Sequence, residues 1–457
     1  MDSTEESTQQ RSEEVFAQLQ RKALSYFLHQ CNPANGLVAD KNQPGSPASI
    51  AVQGMAFSIY AIASECGAIE RSEAIKRTLT ALRFFQSSTQ NTGRDATGYR
   101  GFYYHFLDIE SGKRTWKSEL STIDTAILMA GIISAMNYFN RDSAEEREIR
   151  ELANFLYSRV EWDWACNGEE TPSHGWTPEG KFRRYRWDTN YSEAHILYIL
   201  ALGSPTYPIK RAGYEKWLTT FNLQTIYDIQ YLHAGPLFIH QMSHLWIDFQ
   251  GIQDSFNRNV GIDYFENSRR ATYVQREYGR RNPKKFEHYS QYGWGLTASD
   301  GPGPAVLTVK GRRRVFYDYR ARGVPKGPDD GTVSPWAVVA SLPFAPEIVT
   351  ETVTHMFRKM DENGLSVSGF GASYNLTFPH SSQQALTRTQ SVISPGEVPS
   401  SYDGWLSPWI FGLNEGPMFM MIENHRSGLL WNLMKQDHYM RNGLMAAGFE
   451  GGWLADP

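Results

Sequence analysis

The run WDTNYSEA, which begins at Trp187, concentrates side chains that could do acid–base chemistry at the start of an apolar helix. Two carboxylates, Asp188 and Glu193, stand among aromatic rings that include Tyr191, and the apolar segment 195–202 follows at once. A buried helix seldom carries so many polar groups at its start unless that end faces a polar ligand. A sugar fits this description, because aromatic rings stack on its CH faces while carboxylates bind its hydroxyls.

Glu193 also has a purely structural interpretation. Asn190-x-x-Glu193 fits a helix capping box, in which the acid accepts the backbone N–H of the capping residue. A helix N-terminus lowers the pKa of a nearby carboxyl group, whereas a general acid must hold its proton near neutral pH. Glu193 can act as an acid only if burial by Trp187 and Tyr191 outweighs the helix dipole.

Asp124 repeats this arrangement on another helix. It follows Ser121 by three residues and lies at the start of the apolar run 120–139, so plain capping is again an alternative. If such helices begin at one rim of the fold, the two carboxylates flank one cleft, and glycoside hydrolysis requires a pair of acids in that position.

Two kinds of helical segment alternate along the chain and predict the fold. Segments that are apolar on every side are followed by amphipathic segments with a charged face. The pairs are 48–64 with 71–86, 120–139 with 143–158, 190–202 with 210–221, 238–249 with 261–281, 332–342 with 345–359, and 416–424 with 425–435, after a leading helix at 11–30. About twelve helices in inner–outer pairs predict an all-α fold, an (α/α)6 barrel. A helical-repeat solenoid gives a similar alternation, but the spacing is irregular and no repeat motif is visible.

Long connections join these helices. Residues 93–118 predict a β-hairpin that turns at Ser111 and Gly112, and we expect such hairpins and the long loops at one rim of the barrel. The stretch 360–410 is the longest irregular one, and loops of this length usually serve function. No linker composition divides the chain, so we expect a single domain over residues 1–457, with residues 1–10 as a flexible tail.

Composition excludes several classes of partner. The net charge is −4, the pI is about 6.3 and no basic block occurs, which argues against nucleic acid and anionic membranes. No run of apolar residues is long enough to span a membrane. The content of 13 Trp, 24 Tyr and 24 Phe suits a carbohydrate ligand, although an aromatic-rich core would explain it as well. The polar, acidic N-terminus is not a signal peptide. We therefore expect a cytoplasmic protein if this terminus is native, and a periplasmic or secreted one if a leader was trimmed.

No metal or cofactor is expected. The 3 cysteines show no zinc-binding spacing, and the chain has no phosphate-binding loop. His240 and His244 stand four residues apart and could hold zinc. However, Gln241 replaces the glutamate that a metalloprotease needs as its base. Gln241 is better interpreted as a polar group that lines a cavity. The sequence does not indicate an oligomeric state.

Longer motifs carry a resemblance to a known family. They are WDTNYSEAHILYILALGSPTYPI, FIHQMSHLWIDFQGIQD, GIDYFENSRRATYVQREY, YGWGLTASDGPG, DDGTVSP with SLPFAPEIV, and GLNEGPMFMMIENHRSGLLW with the closing GFEGGWL. Together they resemble the bacterial glucoamylase-like family, which includes endo-β-1,2-glucanases, from about Asn35 to Leu454. The resemblance implies an (α/α)6 barrel and, for characterised members, inverting hydrolysis of β-1,2-glucan. Related members carry out transglycosylation on the same polymer.

The resemblance also implies roles for individual residues. Glu193, in the YSEA motif, matches the general acid. Asp403, in the tyrosine–aspartate loop before the EGP motif, is the expected base, and Asp124 is the alternative. The segment 378–400 departs from the family pattern because it is longer, which could change chain-end access or substrate.

The expected function is hydrolysis of a β-glucan, with β-1,2-glucan as the first candidate, by an inverting acid–base mechanism. The alternatives are a β-1,2-glucan transglycosylase on the same scaffold and a glucan-binding protein without catalysis. The residues expected to contact the oligo- or polysaccharide are Trp176, Trp187, Asp188, Tyr191, Gln241, Arg270, Trp294, Asp300, Trp405 and Glu415.

Overall fold

The computed structural model describes residues 3–362, 371–379 and 404–455. These residues form a mostly helical protein, with 47% helix, which confirms the predicted helical class. The helices are Ser3–His29, Ile50–Glu65, Arg71–Ser87, Thr122–Tyr138, Ala144–Ser158, Trp162–Ala165, His195–Leu202, Arg211–Leu218, Ser255–Val260, Tyr264–Arg281, Pro335–Val339, Pro346–Glu362, Gly412–Arg426, Leu429–Lys435 and His438–Ala447. Within the described ranges, no helix is both long and apolar enough to cross a membrane.

Short antiparallel strands connect the helices. They are Ala48–Ser49, Gly98–Tyr99, Phe102–Tyr103, Phe106–Leu107, Leu120–Ser121, Gly175–Thr177, Lys181–Phe182, Leu223–Ile226, Ile229–Leu232, Ala298–Ser299, Ala305–Val309, Arg312–Phe316, Arg320–Ala321, Tyr374–Asn375 and Trp405–Leu406. The predicted turn at Ser111 and Gly112 is confirmed, because Leu107 bridges Arg114 across it and the Gly112 N–H donates to the Asp108 carbonyl at 2.8 Å.

One predicted helix is wrong. The apolar segment 238–249 forms two successive 3-10 turns, Leu237–His240 and Met242–Leu245. Its first N–H groups are bound by residues outside the segment: Leu237 donates to the carbonyl of Leu296 at 3.0 Å, and Phe238 donates to Thr297 Oγ1 at 3.0 Å. Inside the segment, Gln241 donates to the Phe238 carbonyl at 3.0 Å and Trp246 to the Ser243 carbonyl at 3.3 Å, which is the three-residue spacing of a 3-10 helix.

The chain divides into two compact units, each built from separate segments. The first unit comprises the described residues within 1–23, 223–241 and 267–425, and the second those within 24–222, 242–266 and 426–457. Because each unit gathers distant segments, no linker composition marks a boundary in the sequence. The predicted tail at 1–10 overlaps the helix that begins at Ser3.

In the second unit, two apolar helices touch backbone to backbone. They are Ile50–Glu65 and Thr122–Tyr138, both buried along nearly their whole length. A Cβ placed on Gly131 would lie 1.8 Å from the Gly54 carbonyl oxygen, so only glycine fits this contact.

Short strands fix the starts of these same helices. Ala48–Ser49 runs directly into the helix at Ile50 and pairs with Phe106–Leu107. Leu120–Ser121 runs directly into the helix at Thr122 and pairs with Gly175–Thr177. The two helix starts and the loop around residue 105 are thereby tied together, and this is where the candidate site lies.

The first unit contains a buried ion pair in its glycine-rich loop. Arg322 and Asp330 have no exposed side-chain surface and bind in a two-pronged manner, with Nε–Oδ1 at 2.7 Å and Nη2–Oδ2 at 2.9 Å. The Asp330 carboxylate also accepts the N–H groups of Tyr317 and Thr332. Burial raises the pKa of Asp330, but its bonds with the Arg322 guanidinium outweigh that effect and hold it below its usual value.

Candidate active site

Glu193 lies in the turn immediately before a buried helix. The helix begins at His195, and its N-cap residue, Ala194, makes no side-chain capping bond. Asn190 instead has a φ of 58°, and its backbone N–H donates to Thr220 Oγ1 at 2.9 Å. The capping-box interpretation of Asn190 and Glu193 is therefore wrong, because the helix starts later than its apolar run suggested.

Ser243 holds the backbone of this turn. Its hydroxyl donates to the Glu193 carbonyl oxygen at 2.8 Å and accepts the N–H of Ile196 at 3.1 Å. A hydroxyl from a distant segment thus satisfies a helix-start N–H that a local cap would otherwise bind. The Glu193 carboxyl group is left available for other roles.

The Glu193 carboxyl group holds its proton unusually tightly. Burial raises its pKa, a hydrogen bond from its own backbone N–H lowers it and the negative charge of Asp124 raises it, and together these effects bring it to about 7. The residue remains partly exposed. A carboxyl group that keeps its proton up to about neutral pH has the property a general acid needs.

Asp124 occupies the first turn of the helix Thr122–Tyr138. Its backbone N–H donates to the Ser121 hydroxyl at 3.2 Å, so the predicted hydroxyl cap is confirmed. Its carboxylate does not complete a capping box but lies 3.5 Å from His105 Nδ1. Asp124 therefore faces a titratable group as well as influencing Glu193.

His105 is a member of this site that sequence reasoning missed. Its Nδ1 lies 3.4 Å from Glu119 Oε1 as well as near Asp124. Burial lowers the His105 pKa, but the charges of Asp124, Glu119 and Asp40 together outweigh burial and raise it to about 9. The imidazole is therefore a cation at neutral pH, placed among carboxylates.

Glu119 and Asp40 were also missed. The hydrogen bond with His105 lowers the Glu119 pKa to about 2. Burial raises the Asp40 pKa to about 6, with the His105 cation opposing that rise. Glu119 stands just before the helix start that drew attention to Asp124, a signal that could have found it. We call Asp40, His105, Glu119, Asp124 and Glu193 the acidic cluster.

The predicted aromatic residues of the second unit lie around this cluster but are buried. The Trp187 indole N–H donates to Thr122 Oγ1 at 3.0 Å, which ties the WDTNYSEA run to the helix of Asp124. Trp176 is buried with its ring centroid 5.4 Å from that of Tyr99. These side chains pack against protein and present little open ring face.

Two more predicted residues of the same run have protein partners. Tyr191 is buried and stacks in parallel on Tyr264, with centroids 6.0 Å apart. The Asp188 carboxylate accepts hydrogen bonds from Thr171 Oγ1 at 3.4 Å and Thr189 Oγ1 at 3.0 Å.

The remaining described candidates belong to the first unit. Gln241 is buried and donates through Nε2 to the Ala337 carbonyl at 2.6 Å. Trp294 has no exposed surface, which leaves no ring face for a sugar. Arg270 donates to the carbonyl of Gln230 at 2.9 Å.

The polar and aromatic residues near the end of the first unit have different surroundings. The Asp300 carboxylate accepts the Ser407 hydroxyl at 2.9 Å. Trp405 packs in an apolar cluster with Phe316 and Phe378. Burial raises the pKa of Glu415 to about 8, against the charge of Lys22. The expected base, Asp403, lies outside the described residues.

The described part of the chain contains no group of three or more His, Cys, Asp or Glu side chains arranged to hold a metal ion. His240 and His244, the pair considered for zinc, are both buried. His240 Nε2 lies 3.2 Å from the carbonyl oxygen of Ala234.

Comparison with known proteins gives consistent matches. The family model described as "Putative glucoamylase" matches residues 184–438, which is more than half of the chain. An exo-β-1,2-glucooligosaccharide sophorohydrolase (non-reducing end) from Parabacteroides distasonis is 25% identical over an alignment 466 residues long. The alignment covers 94% of this chain and 57% of that protein. The chain thus spans little more than half the length of this curated relative.

Solved structures show the same fold over nearly the whole chain. A "putative glucoamylase" from Bacteroides uniformis matches with a TM-score of 0.80 and 26% identity, covering 97% of this chain and 98% of that one. An endo-β-1,2-glucanase from Chitinophaga pinensis, in complex with sophorotriose and glucose, matches with a TM-score of 0.79 and 23% identity, covering 97% and 99% of the two chains.

Proposed function

Because the chain belongs to the family described as "Putative glucoamylase", we propose that it is a glycoside hydrolase that cleaves β-1,2-glucan by an inverting acid–base mechanism. The names of the relatives support the substrate, since they include a β-1,2-glucooligosaccharide hydrolase and a β-1,2-glucanase. We also propose that the scaffold is an (α/α)6 barrel. Helices that are buried on every side, such as Ile50–Glu65, Thr122–Tyr138 and His195–Leu202, suit its inner ring.

The single observation that carries the proposal is the buried carboxyl group of Glu193, within the electrostatic influence of Asp124 and with its pKa raised to about 7. Glu193 donates its proton to the glycosidic oxygen while the bond between that oxygen and the anomeric carbon breaks. A water molecule attacks the anomeric carbon from the opposite face and gives its proton to the base. Hydrolysis of a β-linkage in this way releases the α-anomer.

Asp403 is the proposed base, and Asp124 is the alternative. The contacts of Asp124 suit a different role, because its charge raises the pKa of Glu193 and thereby helps to keep the acid protonated. Azide distinguishes the two carboxylates. In a variant that lacks its base, azide can attack the anomeric carbon in place of water, because azide is already an anion and needs no base. Turnover is then restored, and the product is a glucosyl azide. We expect this rescue in Asp403→Asn and not in Asp124→Asn.

Product analysis on linear β-1,2-glucan tests the function itself, with β-1,3- and α-linked glucans as controls. We expect new reducing ends from β-1,2-glucan alone. Glu193→Gln should lower turnover by roughly 10²–10⁴-fold, while Glu169→Gln, which removes an exposed carboxylate, should leave it unchanged. Unchanged turnover in Glu193→Gln would exclude this residue as the acid.

The same assay separates the two alternatives. A transglycosylase would redistribute chain lengths without a net increase in reducing ends. A binding protein would give heat in calorimetry with the glucan and no change in chain length. Either result would contradict hydrolysis.

A further inference from the structure

Trp116 is unusually exposed for its size. Its side chain is 63% exposed. Its φ is 53°, and that of the next residue, Lys117, is 52°. Two consecutive residues other than glycine in the left-handed region cost free energy that the surroundings must supply, and such strain is concentrated at functional positions.

Hydrogen bonds from Arg114 hold the strained backbone at Trp116 and Lys117 in place. The Arg114 guanidinium donates to the Ser118 carbonyl at 2.6 Å, to the Lys117 carbonyl at 2.8 Å and to Glu179 Oε1 at 2.9 Å. The Arg114 side chain is only 2% exposed, whereas its partner Glu179 is 36% exposed. The turn is therefore a fixed support that holds an indole ring in solvent, and a ring held in this way binds a ligand at a low entropic cost.

A row of rings leads from Trp116 to the acidic cluster. The centroids of Trp116 and Phe106 lie 5.0 Å apart, and Phe106 stacks on His105 at 4.0 Å with an angle of 11° between the planes. His105 in turn contacts Asp124. The exposed ring is thus continuous with the proposed catalytic site.

A second row ends at the same helix. Tyr185 is 73% exposed, and its ring centroid lies 6.2 Å from that of His174. His174 stacks on Trp187 at 4.0 Å, and the Trp187 indole donates to Thr122. Both rows therefore converge on the first turn of the helix Thr122–Tyr138, and each has an exposed aromatic ring at its outer end.

We infer that Trp116 and Tyr185 are outer sugar-binding positions, on which glucose units of a long β-glucan stack beyond those that contact the acidic cluster. Aromatic faces bind the CH faces of sugars in this way. The inference rests on the proposed function and extends it to chain length: the site favours a polymer or long oligosaccharide over a short one. A glucose unit that stacks on Trp116 or Tyr185 increases the affinity only when the glucan is long enough to reach that ring.

The test compares four variants with the wild-type protein. Trp116→Ala and Tyr185→Ala remove the rings, Trp116→Phe keeps a smaller ring, and Phe155→Ala removes an exposed ring from the helix Ala144–Ser158 as a matched control. We measure kcat/KM on linear β-1,2-glucan and on the shortest β-1,2-glucooligosaccharide that the wild type cleaves. Calorimetry of glucan binding and sedimentation of the unliganded proteins accompany the kinetics.

We expect each ring-to-alanine variant to lose about tenfold in kcat/KM on the polymer and to keep its value on the shortest substrate. Trp116→Phe should lie between Trp116→Ala and the wild type, and Phe155→Ala should match the wild type. An equal loss on both substrates, or no loss on the polymer, would overturn the inference. So would a change in sedimentation confined to Trp116→Ala or Tyr185→Ala, since it would make these rings a contact with a second copy of the chain.

Binding separates the inference from the proposed function. If the wild type binds β-1,2-glucan but does not cleave it, and Trp116→Ala weakens binding about tenfold, the sugar positions stand while hydrolysis fails. If the wild type binds no β-glucan, both fail. If it cleaves the glucan and the variants bind and cleave as it does, only the inference fails.

Discussion

Removal of the Glu193 charge should lower turnover by roughly 10²–10⁴-fold and at the same time stabilise the protein above neutral pH. The pKa of Glu193 is about 7 in the folded protein and 4.5 in the free side chain. Below pH 4.5 the group is protonated whether the chain is folded or unfolded, and it costs nothing. As the pH rises from 4.5 to 7, the unfolded chain loses this proton first, so the free energy of unfolding falls, and above pH 7 the loss is complete.

The size of the effect follows from the same pKa difference. Each pKa unit corresponds to about 1.4 kcal/mol, so the charged Glu193 costs the folded protein about 3 kcal/mol above pH 7. An average unfolding entropy for a chain of 457 residues gives roughly 1 kcal/mol per degree, which makes the difference about 3 °C in Tm.

Thermal unfolding of the wild type and of Glu193→Gln at pH 4.5 and pH 8 measures this difference. We expect similar Tm values at pH 4.5 and a Tm about 3 °C higher for the variant at pH 8. The alkaline limb of the wild-type kcat/KM should fall near pH 7, because the same proton is the catalytic one. A Tm difference that is the same at both pH values would refute the assignment of a raised pKa to Glu193.

Three further variants test the electrostatics and the packing. Asp124→Asn removes a negative charge that raises the pKa of Glu193, so the alkaline limb of its residual kcat/KM should move to lower pH; a limb that stays or moves upward contradicts the coupling. Gly131→Ala places a Cβ 1.8 Å from a carbonyl oxygen of the facing helix and should cost about 3 kcal/mol or more in chemical denaturation; a loss below about 1 kcal/mol would show that the helices separate easily. Asp330→Asn leaves the buried Arg322 unpaired and should cost about 3–5 kcal/mol by the same measurement; a neutral result would mean that water reaches Arg322.

The sequence predicted helices best where a segment was apolar on nearly every side or had one apolar and one charged face. The segment 120–139 is apolar throughout and forms Thr122–Tyr138, and the amphipathic segment 143–158 forms Ala144–Ser158. The segment 238–249 was also predicted to be an inner helix but does not form an α-helix. Its backbone bonds to residues more than fifty positions away, as in the contact of Leu237 with Leu296, and periodicity carries no record of such partners.

The candidate site was predictable only in part. Glu193 and Asp124 stood out because a polar side chain at the start of an apolar helix needs an explanation. His105 and Asp40 come from loops with no such contrast. They interact with Asp124, and the pairing of Ala48–Ser49 with the strand that follows His105 is a property of the fold.

The arrangement of charge in the acidic cluster separates the roles of its carboxyl groups. Glu119 accepts a hydrogen bond from the His105 cation, and its pKa falls to about 2. Glu193 is governed by burial and by the negative charge of Asp124, and its pKa rises to about 7. Between these values one carboxyl group is charged while another keeps its proton, within one set of interacting side chains. Acid-catalysed cleavage of a glycosidic bond requires such a difference, because a site in which all carboxyl groups ionised together would have no proton to donate.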